Sequence, residues 1–389
     1  MNDVKIGIVP FSFQTPDYRR LLKKFTGFHW QHYRGDPQYI PLLDYEYLGF
    51  RLLGIRGFFE ADNSFFQHAE MRFFLAMRGE EIVGRCNAFV NRNHNEYWQE
   101  RLGFLGQFEV IDDPAVSGSL LEAAGQWLKS KGMEAVRGPQ NMPINEATPG
   151  VMTDGFNSRP VVYYNYNKPY YARLLTDAGF APIKRVFSWE IPVHGVVSEK
   201  LPRVAQKVIE RFAITLEPWG KRPLEERKQE MLEIYNDAWG ENFGFIPFTK
   251  KEFYTIIDDM MMIMDKKMFC FLYIKGEPAA FIGAVPNIAE RMAPTALTRR
   301  WEFFRAARMF LSMNRIKGLR LGYLGVKKKF RSLGLDGVMV WTMKMEAQKL
   351  RYEYCDIGWV LEDNFKTNRI VELMGGKPSK TYTIFQKPL

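Results

Sequence analysis

Cysteine is scarce in this chain. Cys86, Cys270 and Cys355 are the only three, far apart and odd in number. No CxxC pair and no Cys/His cluster occurs, which excludes the usual spacing of a structural zinc site or a disulfide framework. Buried free thiols in a reducing compartment, and no metal cofactor, are expected. Long apolar runs are also missing: none reaches the roughly 18–20 residues that span a bilayer. The first residues lack the basic region, apolar core and small-residue cleavage site of a signal peptide. The expectation is a cytoplasmic protein, with peripheral contact at the inner face of the cell membrane left open. Two phosphate-binding signatures are absent as well, GxxxxGK[ST] and GxGxxG.

What is present is a full apolar complement. Of 389 residues, 46% are hydrophobic and 15% aromatic, enough to exclude global disorder. The length suits about two ordinary domains. The net charge is +10, and its position is informative. Arg291 to Arg351 holds 15 Lys/Arg and 3 Asp/Glu, leaving 39 basic and 41 acidic residues elsewhere. One segment therefore carries the whole excess. That favours a localised polyanion site over a generally basic, DNA-binding surface. A solvated basic helix face from Arg299 to Met313 explains part of it. Lys327, Lys328, Lys329 and Arg331 lead instead into a glycine-containing turn.

Hydrophobic periodicity gives two similar halves. In the first, strands at 71–77 and 82–90 flank a turn at Arg78-Gly79-Glu80. A strand at 103–110, a helix at 117–129, a strand at 135–136 and a helix at 169–178 follow. A polar helical connector spans 196–236. In the second half, strands at 268–274 and 279–285 flank Lys275-Gly276. A strand at 318–326, a helix at 336–350, a strand at 354–361, a helix at 368–374 and a strand at 382–385 complete it. The ordered echo predicts a duplicated α/β (α+β) domain, each copy a mixed central sheet flanked by helices. The expected division is 1–195, the connector 196–236, and 237–389.

Leu324 to Gly337, LGVKKKFRSLGLDG, reads as a strand end, a basic turn and a helix start. N–H groups at a helix start lack intrahelical acceptors, and the helix dipole favours an anion there. Arg331 and the lysines add charge, and Gly334 permits close backbone approach. The stretch makes a chemically sound pyrophosphate cradle, with an ordinary basic loop as the alternative.

Arg331, Gly334 and Asp336 resemble the [RQ]xxGx[GA] turn of the GNAT acyl-CoA N-acyltransferases. Val326 precedes it on a strand, and Asn364 and Gly375 match the family's next helix. The chain is more specifically similar to a bacterial group of tandem GNAT proteins that includes ceramide synthases. Arg34-Gly35-Asp36-Pro37, Phe65 to Glu70, Asn91 to Asn95, Arg137 to Asn141, Asp154 to Phe156, Gly358 to Asn364 and Lys380 to Tyr382 carry that likeness. The resemblance implies two tandem GNAT-like domains and transfer of an acyl group, fatty in that group, from acyl-CoA to an amine acceptor such as a long-chain sphingoid base. It places the CoA against Leu324, Val326, Lys329, Arg331, Ser332, Leu333, Gly334, Leu335, Asp336 and Asn364.

Departures exist. Asp336 stands where the turn ends in Gly or Ala, and Val371 where the family often has a tyrosine acid. The matching turn of the first half, Asp113 to Ser119, has no basic residue, so CoA is expected only in the second half. Two other readings stay open: a Fem-type aminoacyl-tRNA-dependent transferase, and a non-catalytic acyl-CoA or membrane sensor. An anionic membrane beside the 299–313 helix is a further expected partner.

N-acylation needs a base to free the amine. Asp356 and Glu362 are first candidates. Asp356 is either desolvated on its apolar strand or exposed on the alternate face, and Glu362 is either a base or a helix-capping neighbour. His94, in an Asn/His-rich loop, and Glu109, on the long first-half strand, are the others. Asn141, Asn145 and Glu146 form a polar cluster with Pro and Gly, suited either to substrate binding or to loop structure. Tyr164 and Tyr166 lie in an aromatic run suited either to a lipid groove or to packing.

Overall fold

The computed structural model describes residues 5–50, 56–142, 147–195, 200–295 and 301–389. The chain forms two compact units. Unit 1 contains Met1–Val186, Met292–Ala307 and Lys380–Leu389, and unit 2 contains Phe187–Arg291 and Arg308–Ser379.

In unit 1, strands β1 (Ile6–Phe11), β2 (Ala69–Arg78), β3 (Glu81–Asn91), β4 (Leu102–Val110) and β5 (Ala135–Gly138) lie in that order. A short strand, β6 (Val151–Asp154), pairs with the C-terminal strand. Helices α1 (Tyr18–His32), α2 (Asp44–Leu48), α3 (Arg92–Trp98), α4 (Pro114–Ser130) and α5 (Tyr171–Asp177) complete it. Gly79 turns the β2–β3 hairpin at φ 64°, a conformation that costs glycine little. The period of two is visible in neighbouring residues. Phe74 packs with Leu105, Leu120 and Leu174 on the α4 face, whereas Phe73 packs with Phe11, Phe25 and Phe59 on the α1 face.

Unit 2 opens with the end of β7 (Ala181–Pro192) and adds helices α6 (Lys200–Phe212), α7 (Leu224–Trp239) and α8 (Lys250–Met261). β8 (Ile214–Pro218) separates α6 from α7; β9 (Phe269–Ile274), β10 (Glu277–Pro286), β11 (Gly318–Val326) and β12 (Tyr354–Leu361) follow. The strand order is β7-β12-β11-β10-β9-β8. Short α9 (Ala289–Met292) and α10 (Glu302–Leu311, of which the residues up to Ala307 belong to unit 1) precede β11, α11 (Leu335–Gln348) follows it, and α12 (Phe365–Leu373) follows β12. Lys275 and Gly276 both take positive φ, 52° and 81°, as a type I′ hairpin requires.

Two features differ from the linear expectation. The 196–236 stretch is not wholly helical, since β8 lies inside it and pairs with β9. Five residues ending in proline give too short a run for periodicity to detect. The units also exchange terminal strands. β13 (Lys377–Pro388) belongs to unit 1 from Lys380 onward and pairs with β5 from Phe385 to Pro388, while the end of β7 sits beside β12 in unit 2. Side-chain alternation marks a strand but not which sheet it joins.

Candidate functional site

In unit 2, β11 is the strand that shapes the site. On one side it pairs antiparallel with β10, from Ala280↔Val326 to Pro286↔Leu319. The register slips between Gly283 and Ala284, leaving Gly322 as the extra residue of a bulge. On the other side β11 runs parallel to β12, but only from Gly318↔Tyr354 to Leu321↔Ile357. Beyond that pair the register ends among the described residues, although β11 continues to Val326 and β12 to Leu361. The two strands thus part, and the backbone of 322–326 faces the gap.

Below the apex lies an apolar cavity of about 30 Å³ lined by Leu319, Leu321, Cys355, Ile357, Val340 and Met343, among others. Alternation sends Arg320 and Asp356, cross-strand partners, to the opposite face.

After Val326 the chain turns through Lys328–Phe330, Arg331 and Ser332 (φ 67°) to Gly334 (φ 81°), the N-cap of α11. Gly334 offers no side chain to the first N–H groups of that helix. Leu335, 1% exposed, anchors the helix start in the core. Asp336 Oδ1 accepts the Gly337 N–H at 3.0 Å, so its carboxylate is turned onto its own helix.

The basic side chains of the turn have acidic neighbours. Arg331 donates to Glu241 Oε2 at 3.0 Å and to the Ala238 carbonyl at 2.6 Å. Lys328 Nζ is 3.2 Å from Glu241 Oε1, Lys327 reaches Glu233 at 3.9 Å, and Lys329 pairs with Glu277. Asp237 accepts the Lys328 N–H. Hydrogen bonds from Arg331 and then Lys328 hold the Glu241 carboxyl below its ordinary range. Exposed pairs of this kind are weak, and a polyanion exchanges them at little cost.

Asp356 is 4% exposed, and its Oδ2 accepts from Ser188 Oγ at 2.5 Å and Ser379 Oγ at 3.3 Å. The exposed alternative for Asp356 is therefore ruled out. Glu362 is half-buried in the turn after β12, and its carbonyl accepts from Asn368 Nδ2 at 3.5 Å. Asn364 caps α12, with Oδ1 accepting the Thr367 N–H at 3.2 Å.

Unit 1 has the corresponding parts in a closed form. β4 and β5 pair in parallel from Leu102↔Ala135 to Phe104↔Arg137. The next residues then close the gap. Gln140 N–H donates to the Leu105 carbonyl at 2.6 Å, and the Gln107 N–H donates to Asn141 Oδ1 at 2.7 Å. A Cβ on Gly138 would stand 2.4 Å from the Leu105 oxygen, so only glycine allows this approach. The start of α4 is also filled. Asp113 caps it, accepting from Ala115 N at 2.9 Å and Val116 N at 3.4 Å, and pairs with Arg78 at 2.6 Å. The cap residue of α4 thus takes two N–H groups itself, whereas the cap residue of α11, Gly334, takes none and Asp336 takes the Gly337 N–H.

No family model matches the chain. The bacterial ceramide synthase of Caulobacter vibrioides is 32% identical over 337 residues, covering 84% of this chain and 86% of that protein. The chain belongs to this family. Protein YghO of Escherichia coli K12 is 28% identical over 375 residues, 95% of this chain and 93% of that protein. Among solved structures, a tandem GNAT protein from the clavulanic acid biosynthesis pathway aligns over 99% of this chain and 98% of its own, at 9% identity and TM-score 0.52. A GCN5-related glucosamine N-acetyltransferase region of a fungal β-N-acetylglucosaminidase aligns over 98% of this chain and 38% of that one, at 12% identity and TM-score 0.57. The fold is thus tandem GNAT-like, and the family is one of N-acyltransferases.

The remaining candidates lie in unit 1. His94 is not in a loop. It sits on α3, 1% exposed, edge-on to Phe104, with Nε2 3.3 Å from Glu100. Asn91 ends a strand and then caps α3 through the His94 N–H, which composition alone reads as loop. Burial pushes the imidazole down to about 4. Asn141 donates to Asn165 Oδ1 at 3.0 Å, Tyr164 is buried against Tyr382, and Tyr166 donates to Asp36. Asn145, Glu146 and Arg299 lie outside the described residues.

Glu109 is the centre of a cluster that sequence reasoning did not assemble. Tyr33 donates to its Oε2 at 2.5 Å, the Tyr171 hydroxyl lies 2.8 Å from both that oxygen and His32 Nε2, and Arg85 is 3.9 Å from Oε1. These partners come from α1, β3 and α5, so no local spacing signals them. Burial raises the Glu109 carboxyl above its ordinary 4.5, against the Arg85 charge.

Folded Glu109 holds its proton more tightly than the unfolded chain does, so its contribution to stability falls as pH rises from 4.5 through the folded value. Glu109→Gln, neutral at every pH, is expected to flatten that limb and gain on the wild type as pH rises. Paired thermal melts across this range check it; parallel curves would contradict it.

Proposed function

We propose that this N-acyltransferase moves a fatty acyl group from acyl-CoA to the primary amine of a long-chain sphingoid base, with the CoA held by unit 2. The carrying observation is the contrast between the two helix starts. α11 begins at Gly334, a cap residue with no side chain, beside basic neighbours and with the Gly337 N–H taken by Asp336, while α4 begins at Asp113, whose carboxylate takes two of the first N–H groups. A pyrophosphate suits the first and is repelled by the second. The parted β11 and β12 leave backbone groups that the amides of a pantetheine arm would satisfy. The named activity of the Caulobacter relative supplies the acceptor class.

In the reaction the amine nitrogen attacks the thioester carbonyl. A C–N bond forms, the C–S bond breaks, and CoA leaves as the thiol with the proton taken from nitrogen. The bulged backbone near Gly322 is placed to receive the developing oxyanion. Asp356 and Glu362 are the candidate bases of unit 2. Asp356→Asn and Glu362→Gln separate them: the variant of the true base loses kcat by about 100-fold or more, and the other keeps it. Lipid acceptors need a surface to partition from, and an anionic membrane is the natural one.

The test uses palmitoyl-CoA and a panel of amines, with mass spectrometry of the products. The expected result is the amide of a long-chain base, with short primary amines at least about tenfold poorer. No amide from any amine, together with no heat of acyl-CoA binding, would overturn the proposal.

A further inference from the structure

The last residue of α7, Trp239, lies against the strand that shapes the site. Leu324 and Val326 of β11 pack against the core that includes Leu335 and Val338 of α11. Gly325, between them, therefore faces the other way, toward α7. A Cβ on Gly325 would stand 2.6 Å from Trp239 Cζ3 and 2.8 Å from Cη2. The indole thus rests directly on the strand backbone, and only glycine leaves it room. Phe281, the cross-strand partner of Gly325, has its ring centre 6.1 Å from that of Trp239. Tyr235, one turn earlier on α7, stacks on the indole at 4.6 Å and lies 5.1 Å from Phe248. Trp239, Tyr235 and Phe248 are only half-buried, so this aromatic row keeps a side in contact with solvent.

The neighbours of Trp239 fix its place relative to the basic turn. Asp237 accepts the Lys328 N–H, the Ala238 carbonyl accepts from Arg331 at 2.6 Å, and Glu241 pairs with Arg331 at 3.0 Å. Residues on both sides of the indole are thus tied to the turn proposed for the pyrophosphate. All of these groups belong to unit 2, so the span from turn to indole is set within one compact body.

A thioester carbonyl held by the backbone near Gly322 leaves its acyl carbons two courses. The α11 side is closed by Leu324 and Val326, and the cavity beneath, about 30 Å³, is too small for an acyl chain. The α7 side has a glycine at 325, covered by the indole. Hydrocarbon leaving the carbonyl on that side runs onto Trp239 and then along Tyr235 and Phe248. Apolar atoms laid on such a surface gain about 25 cal/mol for each Å² removed from water. A short acyl group collects only a small part of that gain.

We propose that Trp239 is a specificity-determining residue, whose indole carries the acyl chain of acyl-CoA and favours long chains over short ones. This rests on the acyl-transfer reading and adds to it the side chain that reads the acyl group.

The experiment measures kcat/KM for palmitoyl-CoA and for butyryl-CoA, with one long-chain base as acceptor, in the wild type, Trp239→Ala and Gly325→Ala. Melting temperatures establish that each variant is folded. Gly325→Ala keeps the indole but pushes it off the strand, so it tests position apart from composition. The wild type should prefer palmitoyl-CoA, and the palmitoyl-to-butyryl ratio should fall at least about tenfold in both variants. Trp239→Phe, which keeps a ring, should restore part of the ratio. A ratio that is unchanged or higher in a folded Trp239→Ala would overturn the proposal. So would an equal loss for both substrates, which would make the indole a structural group, or a wild type that prefers butyryl-CoA. If the wild type makes no amide from either acyl-CoA, the acyl-transfer reading fails and this proposal with it. Amide from the wild type with an unaltered ratio in the variants refutes the role of Trp239 alone. If Trp239→Ala does not fold, Trp239→Leu, which keeps apolar volume without the ring face, gives the same comparison with a smaller fall.

Discussion

Gly334→Val is expected to lower kcat/KM for acyl-CoA by about 100-fold or more and to leave the protein folded. The residue takes φ 81° as the N-cap of α11. A side chain there costs about 1–2 kcal/mol from conformation alone, more for a β-branched one. The space itself is ordinary, since a Cβ would stand 3.5 Å from Val208. The backbone therefore shifts instead of the core, and the N–H groups that face a pyrophosphate lose their aim. A melting temperature lower by several degrees is compatible with a chain of this size. The control is the matching position of the first unit. Asp113→Gly removes a cap at a cost of about 0.3 kcal/mol and should leave transfer unchanged. Steady-state kinetics with calorimetry of CoA binding decide the matter, and an unaltered kcat/KM in Gly334→Val would remove the turn from the site.

Acidification from about pH 7 to about pH 4.5 is expected to unfold the first unit, because three buried imidazoles must charge. Burial, the largest cause for each, lowers His29 to about 4, His32 to about 3 and His94 to about 4, from 6.5. Each binds its proton less tightly folded than unfolded, so stability is present above 6.5 and is lost as pH falls toward the folded values. The loss is about 2–3 kcal/mol for each histidine at that pH, or about 8 kcal/mol together. Whole-domain stabilities are about 5–15 kcal/mol. Glu109 works in the opposite direction, gaining stability as it is protonated, and offsets part of the loss. Near-ultraviolet circular dichroism and urea melts at graded pH measure the effect. His32→Gln should shift the acid midpoint downward. Stability that is flat between these two pH values would contradict the burial argument.

The strands and turn proposed to hold the pyrophosphate were legible because their sequence signals are local. The spacing placed β11 at 318–326 and β12 at 354–361, where they lie, and it marked the 327–334 turn between β11 and α11. The parting of β11 from β12 was not legible, because pairing partners are chosen in three dimensions. The same holds for β13, which joins unit 1 despite lying at the far end of the chain. Acidic partners of the turn, Glu233, Asp237 and Glu241, come from α7 and just beyond, about 90 residues earlier in the chain. The +12 block is thus less naked than its sequence suggests. Arg305 shows the limit most plainly. A basic aromatic helix reads as arginines outward, yet here the arginine is buried and the phenylalanines are exposed. The carbonyls of Pro41 and Leu42 decide that orientation, and they stand more than 260 residues away.

The central claim is that unit 2 presents acyl-CoA to a long-chain amine. The most direct measurement incubates the protein with acyl-labelled palmitoyl-CoA and a sphingoid base, and follows labelled amide and free CoA thiol together by mass spectrometry. Amide and thiol appearing in equal amounts in the wild type, with both lost in Gly334→Val and both retained in Asp113→Gly, is the predicted result. Thiol without amide, or amide formation that survives Gly334→Val and fails in Asp113→Gly, would contradict it.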